Sequence, residues 1–225
     1  MNCSQLRVKK LTAALVPLLT VTIFAQSQER VISQDEYDTI MRRLSLPGNA
    51  VYTMRGSVFF KESPDQDWKP YSETIGEYIL PDRHRIRVTM LYRGFEDPRS
   101  DVIRIGGKLY IKRPDGEWRV DVLRQGPNIN ENPDEGTVEY RDLGYEPIGG
   151  KKVLKVQKTT QKTSEKDGVK VERNTVELDW IDVENRRVLK EERITDSTVG
   201  QPYRYLRTLT IYDYVSKVTI EAPVK

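Results

Sequence analysis

The sequence has 225 residues, of which 37 are Lys or Arg, 34 are Asp or Glu and one is Cys. Charged residues make up 32% of the chain and the hydrophobic set 37%, which excludes a polytopic membrane protein, a collagen-like chain, a disulfide-rich scaffold and a low-complexity polymer. The length predicts one domain or a small pair, since all-β folds of this size are commonly single domains.

The first 25 residues have the three parts of a secretory signal peptide. Basic residues between positions 7 and 10 precede an apolar stretch, 11–24, and the small residue Ala25 follows it. We therefore predict a leader that is cleaved near Ala25, and a periplasmic or secreted protein. The alternative is an uncleaved anchor, but a membrane-spanning helix needs roughly 20 apolar residues. This stretch is shorter and is interrupted by Pro17.

Removal of the leader changes the charge and the cysteine content. Residues 1–25 contain three basic residues, no acidic residue and the only cysteine, Cys3, so the remaining chain has 34 basic and 34 acidic side chains. Cys3 precedes the apolar stretch, whereas a bacterial lipoprotein cysteine follows it. We expect the mature chain, 26–225, to be a single domain that does not span a membrane.

One helix is predicted near the start of the mature chain. Ser33 and Glu36 have the spacing of a capping box, in which each side chain accepts a hydrogen bond from the other residue's backbone N–H. Apolar residues recur at helical spacing from Tyr37 to Leu44, and Pro47 and Gly48 end the pattern. The pattern predicts a helix over about 34–45.

Most of the remaining chain is predicted to form strands, because runs of β-branched and aromatic residues are separated by turn sequences such as Gly106-Gly107. Ten strands are predicted, over residues 51–61, 68–80, 83–92, 101–105, 108–113, 137–147, 151–162, 169–183, 187–196 and 203–220. Their short turns imply antiparallel pairing, since parallel pairs need long crossovers. The segment 119–136 is the one long break, and it is interpreted as a lid, a short helix or a disordered loop.

The composition offers no recognisable catalytic or metal-binding set. The mature chain lacks cysteine, and His84 is its only histidine. A histidine metal site normally needs two or three, and neither an H-E-x-x-H nor a G-x-S-x-G motif is present. Carboxylate pairs such as Asp179 and Asp182 mean little in a chain with 34 acidic residues. We expect a protein that is not an enzyme and that needs no metal or cofactor.

Three arginines form a candidate anion-binding row. Arg83, Arg85 and Arg87 alternate along a predicted strand, so their side chains share one face with a spacing of about 7 Å. Such a row is either an ordinary salt-bridged surface or a site for lipid headgroups or an acidic partner. Nucleic-acid binding is not expected, because the mature chain is charge-balanced and follows a secretory leader.

A sheet of about ten strands with only one helix to cover it must close or curl to hide its apolar face. A curled sheet leaves an apolar cavity of the kind that binds small molecules and lipids, whereas the alternative is a core filled by its own side chains. Eleven residues on the strands or beside them are candidates for the cavity lining: Phe59, Tyr78, Ile86, Val88, Ile103, Tyr110, Trp118, Leu154, Val156, Leu178 and Trp180.

Three hairpin stretches carry a resemblance to a known family. They are DVIRIGGKLYIKR from Asp101, which leads to Trp118, DLGYEPIGGKKVLKV from Asp142, and LDWIDVENRRVLKEE from Leu178. Together with the order of leader, N-terminal helix and antiparallel meander, they resemble the LolA-like family of periplasmic lipoprotein carriers, which sort lipoproteins to the outer membrane. The resemblance covers about residues 30–220.

The resemblance implies a mainly β fold, an antiparallel half-barrel of about ten to eleven strands with the N-terminal helix across its concave face. It also implies a non-enzymatic cavity for lipid or lipoprotein acyl chains. The family's carriers have more helix in the middle of the chain, where this sequence has only the polar segment 119–136. The alternative function is an extracytoplasmic interaction or sensor domain that has no lipid ligand and binds an envelope protein.

Overall fold

The computed structural model describes residues 29–44, 46–92, 99–122, 136–166, 169–198, 203–215 and 217–223. The predicted leader, 1–25, and residues 123–135 of the predicted break lie outside the described residues. The described part of the chain contains one helix and twelve strands.

The elements, in chain order, are β1 (Arg30–Ile32), α1 (Gln34–Arg42), β2 (Val51–Lys61), β3 (Lys69–Ile79), β4 (Arg83–Met90), β5 (Arg99–Ile105), β6 (Lys108–Lys112), β7 (Trp118–Val122), β8 (Gly136–Ile148), β9 (Lys151–Lys166), β10 (Val169–Asp182), β11 (Arg187–Ser197) and β12 (Tyr205–Tyr214).

All twelve described strands form one antiparallel sheet in the order β1-β8-β9-β10-β11-β12-β2-β3-β4-β5-β6-β7. The sheet is open, with β1 at one edge and β7 at the other. This confirms the mainly β, antiparallel fold class, with one N-terminal helix among the described residues.

The strand count differs from the prediction of ten to eleven. β1 is only three residues long, and β7 occupies the start of the segment predicted as a break, where five alternating residues pair with β6. The last predicted strand is too long, because β12 ends at Tyr214. Local patterns did not distinguish these short edge strands from connecting segments.

The capping box at the start of α1 is confirmed. The backbone N–H of Glu36 donates to Ser33 Oγ at 3.2 Å, and the backbone N–H of Ser33 donates to Glu36 Oε2 at 3.0 Å. Two of the free backbone donors at the helix start are thereby satisfied. The helix ends at Arg42, with Arg43 as its C-cap.

The apolar stripe of α1 packs on one face of the sheet, which we call the helix face. Leu154, Val156 and Ile181 form its buried floor. Leu154 lies directly opposite Ile181 in the β9–β10 pair, so both side chains point to the same face. The helix contributes Tyr37, Ile40 and Met41 to this contact, and Leu44, just after the C-cap, adds a fourth residue.

The opposite side of the sheet, which we call the tail face, is covered near the β7 edge by the segment 217–223. Ile220 in this segment packs on Ile103 and Tyr110, and all three are buried. The residues of 217–220 were predicted to continue the last strand. They instead form an irregular segment that supplies the cover for this part of the sheet.

An aromatic cluster surrounds Phe60 near the end of β2. The Phe60 ring stacks on Tyr203 with 3.8 Å between ring centroids, and it makes edge contacts with Tyr92 at 5.1 Å and Tyr71 at 6.1 Å. Tyr71 and Tyr203 belong to parts of the chain far apart in sequence. The cluster therefore ties β2 to β3, to the residues that follow β4 and to the segment that precedes β12.

Candidate functional site

A pocket of about 540 Å³ lies between the C-terminal end of α1 and the helix face. We call it the α1 pocket. Its volume is within the range of roughly 300–1,000 Å³ that is typical of small-ligand sites. Its lining consists of Ile40, Arg43, Leu44, Asp142, Tyr145, Leu154, Ile181, Val183 and Arg186. An apolar lining with a few charged groups is typical of a site for an amphipathic ligand.

The position of the pocket follows from the end of α1 and the β9–β10 register. Ile40 lies in the last turn of α1 and Leu44 directly follows the C-cap, and both pack on the helix face. Beneath them, Leu154 and Ile181 are 6% and 1% exposed and form an apolar floor. Val183 lies just beyond β10 and is 42% exposed, so the apolar surface continues from the floor to solvent.

Two arginines bring positive charge to the α1 pocket. Arg43 is the C-cap of α1, and Arg186 lies in the turn between β10 and β11. Within the described residues, neither guanidinium takes part in an ion pair. Asp142 is the one acidic residue of the pocket lining, and its carboxylate lies 3.6 Å from the guanidinium of Arg30. Both arginines are therefore available to an anionic group.

The turn that carries Arg186 is held by a buried carboxylate. Asp182 accepts hydrogen bonds from the backbone N–H of Asn185 at 3.0 Å, from its side-chain amide at 2.9 Å, and from Lys151 Nζ at 3.3 Å. Burial by itself raises the pKa of Asp182, but the hydrogen bonds from Asn185 and Lys151 outweigh it and hold the pKa below its ordinary value.

Arg186 has a φ of 53°, in the left-handed region that L-residues other than Asn, Asp and Gly seldom adopt. Such a conformation persists where the surrounding structure enforces it. The Asp182–Asn185 hydrogen bonds supply that constraint, so the turn presents Arg186 at the pocket at some cost in backbone strain.

A second cavity, of about 490 Å³, lies beside Tyr37 and Met41 of α1 and is acidic. Asp179 lies directly opposite Glu191 in the β10–β11 pair, and Glu177 is two residues away on the same face. Burial, followed by repulsion from Glu191 and Glu177, raises the pKa of Asp179 to about 6. The Tyr37 hydroxyl donates to Asp179 at 3.5 Å.

Asp179→Asn is expected to raise the free energy of unfolding at neutral pH by about 1–2 kcal/mol. The folded-state pKa of about 6 lies above the reference value of 3.8, so the native protein binds this proton more tightly than the unfolded chain does. Stability in the parent therefore falls as pH rises from about 4 to 6, and the variant loses this part of the pH dependence.

Urea denaturation of parent and variant on both sides of that pH window measures the effect. The exposed carboxylate Asp65 supplies a control, since Asp65→Asn is expected to leave stability within about 0.5 kcal/mol of the parent. An Asp179→Asn variant with an unchanged pH dependence would contradict the prediction.

A row of aromatic rings continues the helix face across β2, β3 and β4. Tyr52 stacks on Tyr78 with 4.6 Å between centroids, and the His84 ring lies 5.7 Å from Tyr78. Burial, together with the nearby Arg104, lowers the pKa of His84 below its ordinary value. The single histidine is packed against an aromatic ring.

The eleven predicted lining residues do not lie together. Residues opposite each other in an antiparallel pair share a face and neighbours along a strand alternate, so the register divides the set. Tyr78, Ile86, Val88, Leu154 and Val156 lie on the helix face, and Phe59, Ile103, Tyr110, Trp118, Leu178 and Trp180 lie on the tail face. One cavity cannot be lined from both faces of a sheet, and of the eleven only Leu154 lines the α1 pocket.

Several tail-face candidates are packed by other parts of the chain. Trp118 packs with the buried cluster around Ile220. Trp180 is 3% exposed, and its ring lies 3.8 Å from the ammonium of Lys190 and 4.7 Å from that of Lys155. Its indole N–H donates to Glu146. These positions have the environment of a filled core, and contact of any of the eleven with lipid stays a prediction.

The arginine row shares the tail face, opposite to the α1 pocket. Arg85 makes two hydrogen bonds to Asp101, at 3.0 and 2.5 Å, and Arg87 lies 3.5 Å from Glu77. Two of the three guanidinium groups are thus compensated by carboxylates, as in a salt-bridged surface. A role for the row in binding anions or headgroups stays a prediction.

Sequence reasoning missed most of the α1 pocket. Ile40 and Leu44 were recognised as part of a helical stripe, but Tyr145, Ile181 and Val183 were not selected. A local signal was present, because Ile181 and Val183 alternate with Trp180 and so point to the other face of the strand. Which of the two faces α1 covers is not encoded in that alternation.

The described residues contain no group of three or more His, Cys, Asp or Glu side chains placed to hold a metal ion. The one described helix, α1, lacks the length and the apolar character needed to cross a bilayer.

No protein-family model matches the sequence, and no curated protein matches it either. Among solved structures, the chain is similar to a domain from Vibrio parahaemolyticus that is provisionally described as an outer membrane lipoprotein-sorting protein domain. The identity is 10% and the TM-score 0.27, over 82% of this chain and 93% of that domain. It is also similar to a protein from Bacteroides fragilis with a YmcC-like fold, provisionally described as exported. Here too the identity is 10% and the TM-score 0.27, over 76% of this chain and 98% of that protein.

Proposed function

We propose that this chain is an exported, non-enzymatic protein that binds a lipid or a lipoprotein acyl chain in the α1 pocket. The observation that supports the proposal is an apolar floor, Leu154 and Ile181, next to two guanidinium groups without ion-pair partners among the described residues. An acyl chain would lie against the floor, with its carboxylate or headgroup near Arg43 and Arg186.

The energetics of such a complex favour a ligand that combines both features. Each buried CH₂ group contributes about 0.8 kcal/mol, so burial of eight methylenes supplies roughly 6 kcal/mol before the cost of ordering the ligand. A hydrogen bond between an ionised donor and an ionised acceptor is roughly twice as strong as a neutral one. Participation in lipoprotein sorting is the part of the proposal that rests on the sequence resemblance to the LolA-like family.

Val183→Glu is expected to weaken the binding of a fluorescent fatty acid at least tenfold. The substitution places a carboxylate in the apolar lining, where it costs desolvation energy and repels an anionic headgroup. Val183 is 42% exposed, so the change should not disturb folding. Ile211 is 50% exposed and lies on the tail face, so Ile211→Glu is the matched control and should bind the probe as the parent does.

Mass spectrometry of organic extracts of the purified protein gives an independent measurement, with co-purifying lipid as the expected result. Absence of extractable lipid together with absence of fatty-acid uptake would overturn the proposal. Capture of a specific envelope protein by a lipid-free preparation would then favour the interaction or sensor domain.

A further inference from the structure

β7 is the edge strand of the sheet on the side opposite to β1 and β8. It pairs with β6 on one side, and no described strand pairs with it on the other. An unpaired edge offers backbone N–H and C=O groups to another strand. Two apolar side chains are exposed on this edge, Val120 at 44% and Val122 at 73%.

The five residues of β7 are complementary to themselves in the antiparallel direction. When two copies pair about Val120, Arg119 of one copy lies opposite Asp121 of the other, and Trp118 lies opposite Val122. Arg119 and Asp121 share the helix face, and the three apolar residues share the tail face. A two-fold axis at Val120 therefore creates two ion pairs and two aromatic–aliphatic pairs at once.

We propose that β7 is an interaction edge for a second copy of this chain, which joins two open sheets into one continuous antiparallel sheet across a two-fold axis at Val120. Charge complementarity favours this occupant, because the same strand supplies both the guanidinium and the carboxylate of each pair. Within one copy, Arg119 and Asp121 lie 2.5 Å apart with side chains 50% and 41% exposed. Both remain accessible to a partner strand.

The apolar side chains of this interface adjoin the buried cluster on the tail face. Trp118 already packs with the buried cluster of Ile103, Tyr110 and Ile220. Pairing of Trp118 with Val122 of the second copy would extend that cluster across the axis and cover the exposed valine. The interface is distinct from the α1 pocket, which lies at the other end of the strand order.

Charge variants of β7 test the proposal by sedimentation velocity. Arg119→Asp leaves only carboxylates at the two charged positions, and Asp121→Arg leaves only guanidinium groups. Each variant alone should self-associate at least tenfold more weakly than the parent. An equimolar mixture of the two should form a heterodimer, because every carboxylate then faces a guanidinium. The double variant R119D/D121R remains self-complementary and should dimerise as the parent does.

The fold of each variant is checked by far-UV circular dichroism, and the parent spectrum is expected because an exposed ion pair contributes little to stability. Fatty-acid binding should be unchanged in all variants, which keeps this test independent of the proposed lipid function. A parent that is monomeric at about 100 μM, where a dimer with a dissociation constant of about 10 μM would be largely assembled, would overturn the proposal. A dimer that persists in both single variants, or a mixture that does not associate, would also overturn it.

Discussion

Phe60→Ala is expected to lower the free energy of unfolding by about 4 kcal/mol, the largest loss we anticipate for a single substitution in this chain. Phe60 is 1% exposed and contacts the rings of Tyr203, Tyr92 and Tyr71. Removal of the ring leaves a cavity and eliminates three aromatic contacts, each of which adds about 0.5–1.5 kcal/mol beyond area burial. Tyr203 then loses the ring against which it stacks.

Urea denaturation monitored by circular dichroism measures this loss, and the melting temperature should fall by roughly 10 °C. The adjacent Phe59 offers a matched control, because it points to the tail face and is only half-buried. Phe59→Ala should cost about 1–2 kcal/mol. Equal losses in the two variants would mean that the aromatic cluster does not stabilise the sheet.

Asp182→Ala is expected to lower the free energy of unfolding by about 3 kcal/mol. The carboxylate is 2% exposed, and its removal leaves the backbone N–H of Asn185 and the ammonium of Lys151 without this acceptor. Because these hydrogen bonds hold the turn that carries Arg186, we also expect weaker fatty-acid binding to the α1 pocket.

The pH dependence provides a second signature of Asp182. Its folded-state pKa is lowered, so the stability it contributes is present above the reference pKa of 3.8 and is lost as the pH falls through the folded value. The acid limb of the stability profile should therefore be flatter in Asp182→Ala. Asp182→Asn retains one acceptor oxygen and should lose less stability at neutral pH. An alanine variant no less stable than the asparagine variant would contradict this account.

Helix α1 and most hairpins were predictable because they depend on residues that are close in sequence. The Ser33–Glu36 capping box spans four residues, and the Gly149-Gly150 turn needs two residues with positive φ, observed at 57° and 79°. The alternation of Arg83, Arg85 and Arg87 placed these side chains on one face without knowledge of the partner strands.

The candidate lining was less predictable, because strand alternation assigns side chains to one of two faces without saying what covers each face. Trp180 and Leu154 are both buried, but α1 covers the face of Leu154, and lysine side chains flank Trp180 on the other. The choice depends on the packing of residues more than 100 positions apart, such as Ile40 against Ile181.

Local order along the chain was thus sufficient to establish an antiparallel, mainly β protein with one capped helix, since hydrogen bonds and alternation act over a few residues. The tertiary structure decided where the α1 pocket lies, which arginines at it make no ion pair with another described residue, and that β7 is an edge strand of the described sheet. The pocket and the edge depend on the order of the strands and on which segment covers each face of the sheet. Contacts between residues that are distant in sequence determine both, and a short sequence pattern contains no information about such contacts.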